Sequence, residues 1–460
     1  MPRVFVQKFG GTSVDSPEHR LLAARKVIAA KKAGYDPVVV VSAIGRKGAP
    51  YATDTLVGEL KSIDPSFSPN PREMDMMMAC GELISTAVMA TTLQSMGYPA
   101  IALSGGQAGI FTDDQYGNAR IVQISPDAIL HAIEKGEIPV VCGFQGVVKS
   151  GKDEEHGGVT TLGRGGSDTT ASALGAALNA MGVEIYTDVD GVKTADPSMV
   201  SNARTLDICS YEEVAELAHL GAKVVHPRAA EIAMDYNIPL WVKSTFSDHP
   251  GTRIVSDSEI PSDLRKRITG VAHTGKIVFL RLEIENEAHK SYVEREVYRL
   301  MARAGINIFL VSFSATALSF AVNQEDYHCA RDLLDGMVVP VGSEPDKIPA
   351  SYFYIFKFSE GLDLAYSAQR PLLNSVESFI TVVDVPGTVY ENGTMVSVVA
   401  SRYRQVSGVT AKIFDALDKA GIKVIQVADS AMSISFLIAE NDAIKAVRLL
   451  HDTLGLGTGV

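Results

Sequence analysis

The residues Thr160-Thr-Leu-Gly-Arg-Gly-Gly-Ser-Asp-Thr-Thr170 bring an arginine, two adjacent glycines and an aspartate to the mouth of a helix-like stretch. Ser167 or Asp168 can cap a helix running from Ala171 to Met181, whose free N–H groups and positive dipole end would face a carboxylate or phosphate. Arg164 adds a planar fork suited to a carboxylate. An ordinary capped helix after a glycine turn would show the same residues. A second glycine turn tips the balance: Gln7-Lys-Phe-Gly-Gly-Thr-Ser13 follows the strand-like Arg3-Val-Phe-Val-Gln7 and precedes a helix over Ser16 to Lys32. Strand, Gly-Gly turn and helix let backbone amides approach phosphates with no Cβ in the way. Lys8 sits just before those glycines, where its charge would reach a transferred phosphoryl group. Neither standard nucleotide fingerprint applies, because GxxxxGK[ST] is absent and Gly163-Arg-Gly165 lacks the third glycine of a dinucleotide motif.

These turns need a scaffold, and composition bounds it. The chain has 460 residues, 46% hydrophobic and 21% charged, enough for roughly two to four domains with ample core. Its net charge of −12 argues against a nucleic-acid partner, which needs a basic face. Cys80, Cys142, Cys209 and Cys329 form no CxxC pair, so they read as reduced, buried thiols. The ten histidines form no ligand-spaced cluster, and no protein-built metal site is expected. Met1 to Gly10 has no apolar signal core, and no uninterrupted apolar run approaches the ~20 residues of a membrane span. The cytoplasm is the expected location.

Strand-like runs at Val38 to Ala43, Ala100 to Ser104, Ile138 to Phe144, Glu184 to Val189 and Leu240 to Ser244 alternate with helix-like stretches. That alternation predicts an α/β domain, a mostly parallel sheet with helices on both faces. Ser42, Thr187 and Asp188 fall at C-terminal strand ends, where such sheets carry their ligands. From Ser247 a polar, proline-interrupted stretch marks a boundary. Beyond it, a shift of 116 positions lays Val293 to Leu334 on Val409 to Leu450, with more than a quarter of the pairs identical, including Ala304-Gly-Ile306 with Ala420-Gly-Ile422. This is an internal duplication of a small α+β module. The expected division is a catalytic domain over residues 1–246, a linker over 247–269, modules over 270–340 and 393–460, and a connecting segment over 341–392.

Lys8-Phe-Gly-Gly-Thr-Ser13, Gly81-Glu-Leu-Ile-Ser85, Thr161-Leu-Gly-Arg-Gly-Gly-Ser-Asp168, Tyr186-Thr-Asp-Val-Asp-Gly191, Thr194-Ala-Asp-Pro197 and Gly221-Ala-Lys-Val224 occur in one order along the chain. In these motifs the chain resembles the aspartate kinases, an amino-acid-kinase domain followed by two ferredoxin-like ACT modules. Val40 to Asp54 further resembles the diaminopimelate-sensitive aspartokinase I subtype of spore-forming bacteria. The resemblance implies transfer of the ATP γ-phosphoryl group to the side-chain carboxylate of L-aspartate, with Mg²⁺ held largely by phosphates and water. An ionised carboxylate needs no general base; the obstacle is bringing two anions together, so positioning and charge neutralisation should dominate.

By that resemblance Lys8 and Asp168 are catalytic. Thr53, Glu82 and Arg164, with Gly165, Gly166 and Ser167, bind aspartate, Glu82 and Asp168 addressing the ammonium and Arg164 the α-carboxylate. Lys8, Phe9, Gly10, Gly11, Ser42, Ser167, Thr187, Asp188, Lys193, Asp196, Lys223 and Val224 match nucleotide-contacting positions. Ser198 stands where many relatives carry arginine, with Arg204 or Lys193 as possible replacements, and Val341 to Val382 is longer than in the subtype. An amino-acid effector (lysine, threonine or diaminopimelate) would bind near Gly408, Val409, Thr410 and Asp429, because Gly408 aligns with Tyr292 in the first module. A homo-oligomer joined through the modules is expected. The alternatives are an amino-acid kinase for another acceptor, such as acetylglutamate or glutamate, and a non-catalytic amino-acid sensor.

Overall fold

The computed structural model describes residues 2–457 apart from 65–66, 150–157, 223, 263, 265–266, 285, 315, 342–351, 358–380 and 402–407. These residues divide into two units, one holding Met1–Val271, Val399–Ser407 and Leu454–Val460, the other Ala272–Val398 and Gly408–Thr453.

The first unit begins β1 (Val4–Phe9), α1 (Pro17–Lys32), β2 (Asp36–Val41), α2 (Thr53–Ser62), α3 (Pro71–Ser95), β3 (Ala100–Leu103), β4 (Ile110–Thr112) and β5 (Ile121–Ile124). It continues α4 (Asp127–Glu134), β6 (Ile138–Cys142), β7 (Gln145–Val148), β8 (Val159–Thr161), α5 (Gly166–Ala177) and β9 (Gly182–Thr187). It ends β10 (Ile208–Ser210), α6 (Tyr211–His219), α7 (Pro227–Asp235), β11 (Leu240–Ser244) and β12 (Thr252–Val255). Eight strands form one sheet in the order β10-β12-β11-β9-β1-β2-β6-β3, parallel from β11 to β3. The valines of β2, from Val38 to Val41, are fully buried, as expected for a strand covered on both faces. Phe9, Val39, Val41, Val140 and Tyr186 pack with α1 and α3 residues on one face; α5 lies against β1, β2 and β9. A second sheet, β5-β4-β7-β8, leads directly into the Arg164 turn.

Strand ends differ from the expected ones by a few residues, for local reasons. β6 stops at Cys142 because Phe144 adopts φ 69°, a left-handed turn. Thr252–Val255, inside the stretch read as a linker, forms β12 antiparallel to β11. The helix α3 is long and apolar enough, by length and composition, to cross a membrane, although charged residues interrupt its apolar run. In the structure 44% of its apolar window is buried, and Asp75 and Glu82 are among its buried side chains.

The second unit runs β13 (Ile268–Glu283), α8 (Glu287–Arg303), β14 (Phe309–Phe313), β15 (Ala317–Asn323), α9 (Gln324–Leu334), β16 (Val338–Val341) and β17 (Tyr352–Lys357). It is completed by β18 (Thr381–Ala400), α10 (Val409–Lys419), β19 (Gln426–Asp429), β20 (Ser433–Ala439) and α11 (Ala443–Thr453). The duplication is seen at two elements: β15 shifted by 116 falls on β20, and the last residue of α8 falls on the last residue of α10. The modules differ at the helix start. Asn286 caps α8 through the Ala288 N–H, so Tyr292 lies within a helix of 17 residues, whereas α10 begins only after Gly408 and has 11. The long Val341 to Val382 stretch supplies β17, which pairs antiparallel with β16 and parallel with β18.

Candidate active site

Parallel pairing of β1 with β2 and β9 places Phe9 opposite both Val41 and Tyr186, so Gly10, Ser42 and Thr187 leave the sheet along one edge. Phe9 stacks on Tyr186 with ring centroids 4.7 Å apart. Lys8, one residue earlier, therefore points to the opposite face, and its Nζ lies 2.6 Å from Asp168 Oδ1. Each of these side chains is only 12% exposed. The other Asp168 oxygen accepts the His226 N–H at 3.3 Å.

The helix carrying Asp168 starts earlier than expected. Gly165, at φ 73°, is the N-cap and α5 runs from Gly166 to Ala177, so Ser167 and Asp168 are first-turn residues rather than caps. Glycine is required at 165 twice over, since the left-handed conformation disfavours a Cβ and that Cβ would stand 2.1 Å from His226 Cδ2. Ser167 and Asp168 are buried, while Arg164 is exposed at the turn before them.

At the Gly10-Gly11 turn, Gly11 admits the loop after β2: an added Cβ would come within 2.6 Å of the Gly45 carbonyl oxygen, and Gly45 N–H donates to Gly11 O at 3.1 Å. The amide of Gly10, expected to face phosphates, instead donates to Tyr186 O at 3.3 Å, because β9 lies alongside. Ser42 N–H donates to Phe9 O at 3.1 Å. Thr187 Oγ1 donates to Asp188 Oδ1 at 3.1 Å, and Asp188 Oδ2 meets Arg46 Nη2 at 2.7 Å.

Glu82 is the most perturbed carboxylate beside these turns. Its Oε1 accepts the Ala43 N–H at 2.9 Å, but its Oε2 is buried with no hydrogen-bond partner. Burial pushes its pKa up to about 8, against the lowering effect of the Ala43 bond. A buried carboxylate oxygen with spare accepting capacity suits an ammonium group. Thr53, the first residue of α2, is half-buried on a helix that packs against α3.

The loop after β9 is less convergent. Asp196 Oδ1 accepts both the N–H and the Oγ–H of Ser198, at 2.8 and 2.6 Å. Lys193 Nζ donates to Thr205 Oγ1 at 2.9 Å, and Arg204 Nε donates to Leu456 O at 3.1 Å. Val224 is half-buried between α6 and α7; Lys223 lies outside the described residues. In the second unit Gly408 is the exposed, left-handed N-cap of α10, Val409 is buried, Thr410 is exposed and Asp429 ends β19.

Three features escaped the sequence reading. His226, just before Pro227 at the start of α7, packs against Gly165, and burial holds its pKa below the usual range despite Asp168; Arg228 Nη1 donates to Leu162 O at 3.1 Å. Glu184 accepts from Gln7, Tyr186 and Lys243 at 2.7, 3.0 and 2.6 Å, a polar cluster within the main sheet. Its signals were a glutamate and a lysine inside otherwise apolar strands. Asp75 binds the end of β8 through two hydrogen bonds from Thr161, and accepts a third from Gly117 in the loop between β4 and β5.

The sequence model of the amino acid kinase family matches residues 3–244, and that of the ACT domain matches residues 396–454. The chain is 37% identical to Aspartokinase 1 of Bacillus subtilis (strain 168) over 457 residues, 99% of each chain. It is 38% identical to an aspartokinase of Mycolicibacterium smegmatis over 458 residues, 98% of this chain and 96% of that one. Its fold resembles E. coli aspartokinase III solved with aspartate and ADP, at TM-score 0.71 and 23% identity, covering 98% of this chain and 100% of the other. With more than a third of its residues identical to the Bacillus and Mycolicibacterium aspartokinases over nearly the whole length, and an amino-acid-kinase domain ahead of an ACT domain, the chain belongs to the aspartokinase family.

Proposed function

We propose that this chain transfers the γ-phosphoryl group of ATP to the side-chain carboxylate of L-aspartate. The observation that carries this is the 2.6 Å approach of Lys8 to Asp168, which joins the Gly10-Gly11 turn to the start of α5. Two anionic reactants meet only where cations and oriented dipoles offset their repulsion. Lys8, with the positive end of α5 beside it, is assigned to the transferring group. Arg164, exposed at the same turn, takes the α-carboxylate, and Glu82 takes the ammonium on its unpartnered oxygen. Ser42, Thr187, Asp188 and Val224 are assigned to the nucleotide, along the sheet edge and its neighbouring loop.

The nucleotide's phosphates and water are assigned Mg²⁺. Among the described residues no three His, Cys, Asp or Glu side chains group to hold a metal, and Asp168 and Asp188 each already face a cation. The ion would lower the charge barrier between the two reactants. The modules carry regulation by an amino acid, assigned to Gly408, Val409, Thr410 and Asp429, and association between copies of the chain.

The test is ATP-dependent acyl-phosphate formation, trapped with hydroxylamine, across aspartate, glutamate and N-acetylglutamate. Aspartate should be the productive acceptor, since N-acetylglutamate has no ammonium for Glu82. Equal turnover of the acetylated acceptor would overturn the assignment, and no turnover in well-folded protein would favour the amino-acid sensor.

A further inference from the structure

Glu82 lies on α3 and Arg164 follows β8, so their spacing depends on how those two elements are tied. Asp75 is seven residues before Glu82, which places both on one face of α3, and its side chain is fully buried. Its Oδ2 accepts the Thr161 N–H at 2.8 Å and the Gly117 N–H at 2.9 Å. Its Oδ1 accepts the Thr161 hydroxyl at 2.7 Å. Thr161 ends β8, three residues before Arg164. The next residue is held too, since Leu162 N–H donates to Phe144 O at 2.9 Å and Arg228 reaches Leu162 O.

A carboxylate buried without a cation costs stability unless donors surround it. No ion pair is seen at Asp75 among the described residues. Helix-to-strand packing alone would be met by an apolar side chain, whereas two directed hydrogen bonds from Thr161, with a third from the Gly117 loop, fix the position and the rotation of the strand end. We propose that Asp75 is a positioning residue for the amino-acid acceptor, setting the distance between the carboxylate that takes its ammonium and the guanidinium that takes its α-carboxylate. The inference rests on Glu82 and Arg164 holding aspartate.

Steady-state kinetics of full-length Asp75→Ala, Asp75→Asn, Thr161→Val and Arg164→Met, each checked for folding by circular dichroism, test it. Asp75→Ala should raise KM for aspartate roughly tenfold or more, with KM for ATP within about twofold, as expected for losing a charged hydrogen bond. Asp75→Asn should recover most of this, because its amide oxygen can accept the two N–H groups and its NH₂ can donate to the Thr161 hydroxyl. Should Asp75→Ala not fold, Thr161→Val removes one of the three bonds and should still raise aspartate KM several-fold, as loss of a single hydrogen bond predicts. Equal increases in both KM values, or Asp75→Asn behaving like Asp75→Ala, would overturn the proposal. Arg164→Met raising aspartate KM while Asp75→Ala and Thr161→Val leave it unchanged would sink the positioning role alone. If Arg164→Met also left it unchanged, the reading of the site would fall with it.

Discussion

Gly165 and Gly408 use one backbone device in two settings. Each is the left-handed N-cap of a helix, at φ 73° and 80°. Around Gly165 the space is taken: His226 sits where a Cβ would go, and the first turn of α5 is buried against Lys8. Around Gly408 nothing lies within 4 Å of an added Cβ among the described residues. A glycine at a helix mouth is therefore only an opening; the charged groups that other elements bring to it make a site.

Breaking the crowded side of this comparison should have the largest effect. Lys8→Met should lower kcat by roughly 10²- to 10³-fold, the usual cost of removing one group that stabilises transition-state charge; rapid-quench or coupled ADP assays measure it. Gly165→Ala should destabilise by about 2–5 kcal/mol, combining a left-handed alanine with overpacking against His226. Urea unfolding checks this, and a loss under 1 kcal/mol would show that the α5 turn has room to move.

Glu82→Gln should lower kcat/KM for aspartate by roughly 10- to 100-fold at alkaline pH, the worth of a charged hydrogen bond. The wild-type value should rise with pH and level off above about 8, because the ionised carboxylate is the form that pairs with ammonium. Glu82→Gln should flatten that profile. The same shift acts on stability: folded Glu82 keeps its proton to higher pH than an unfolded glutamate, so its contribution is full below about 4.5 and is lost as pH rises through about 8. Bound aspartate should offset that loss.

The open side gives the smallest effect. Gly408→Trp should cost about 1 kcal/mol in backbone strain, yet shift the effector concentration for half-inhibition by roughly tenfold, about 1.4 kcal/mol. Unchanged sensitivity would remove the effector from Gly408.

Much of the main sheet was legible because buried strands are runs of β-branched residues, and Leu240–Ser244 was located to the residue. The 116-residue repeat was legible because both copies keep the Ala-Gly-Ile turn after the helix. The start of α5 was misread because Ser and Asp are good caps in any helix, and only the conformation of Gly165 shows that the chain turns sooner. The Gly10 amide was misassigned because its partner, Tyr186, comes from β9. Asp75 and the Glu184 cluster stayed hidden for the same reason: an isolated charge in an apolar segment has no visible partner until distant segments are packed.

The amino-acid sequence by itself determined the chemical inventory and the local bends: a lysine before one glycine pair, an arginine and an aspartate around another, and a duplicated α+β module. Those follow from residue type and short-range geometry, which neighbours along the chain suffice to set. Tertiary structure alone decided that Lys8 meets Asp168, that Glu82 keeps an unpartnered oxygen and that Asp75 ties α3 to β8. Each of these depends on strand order and helix packing, where a shift of one residue would turn a side chain to the opposite face of its sheet.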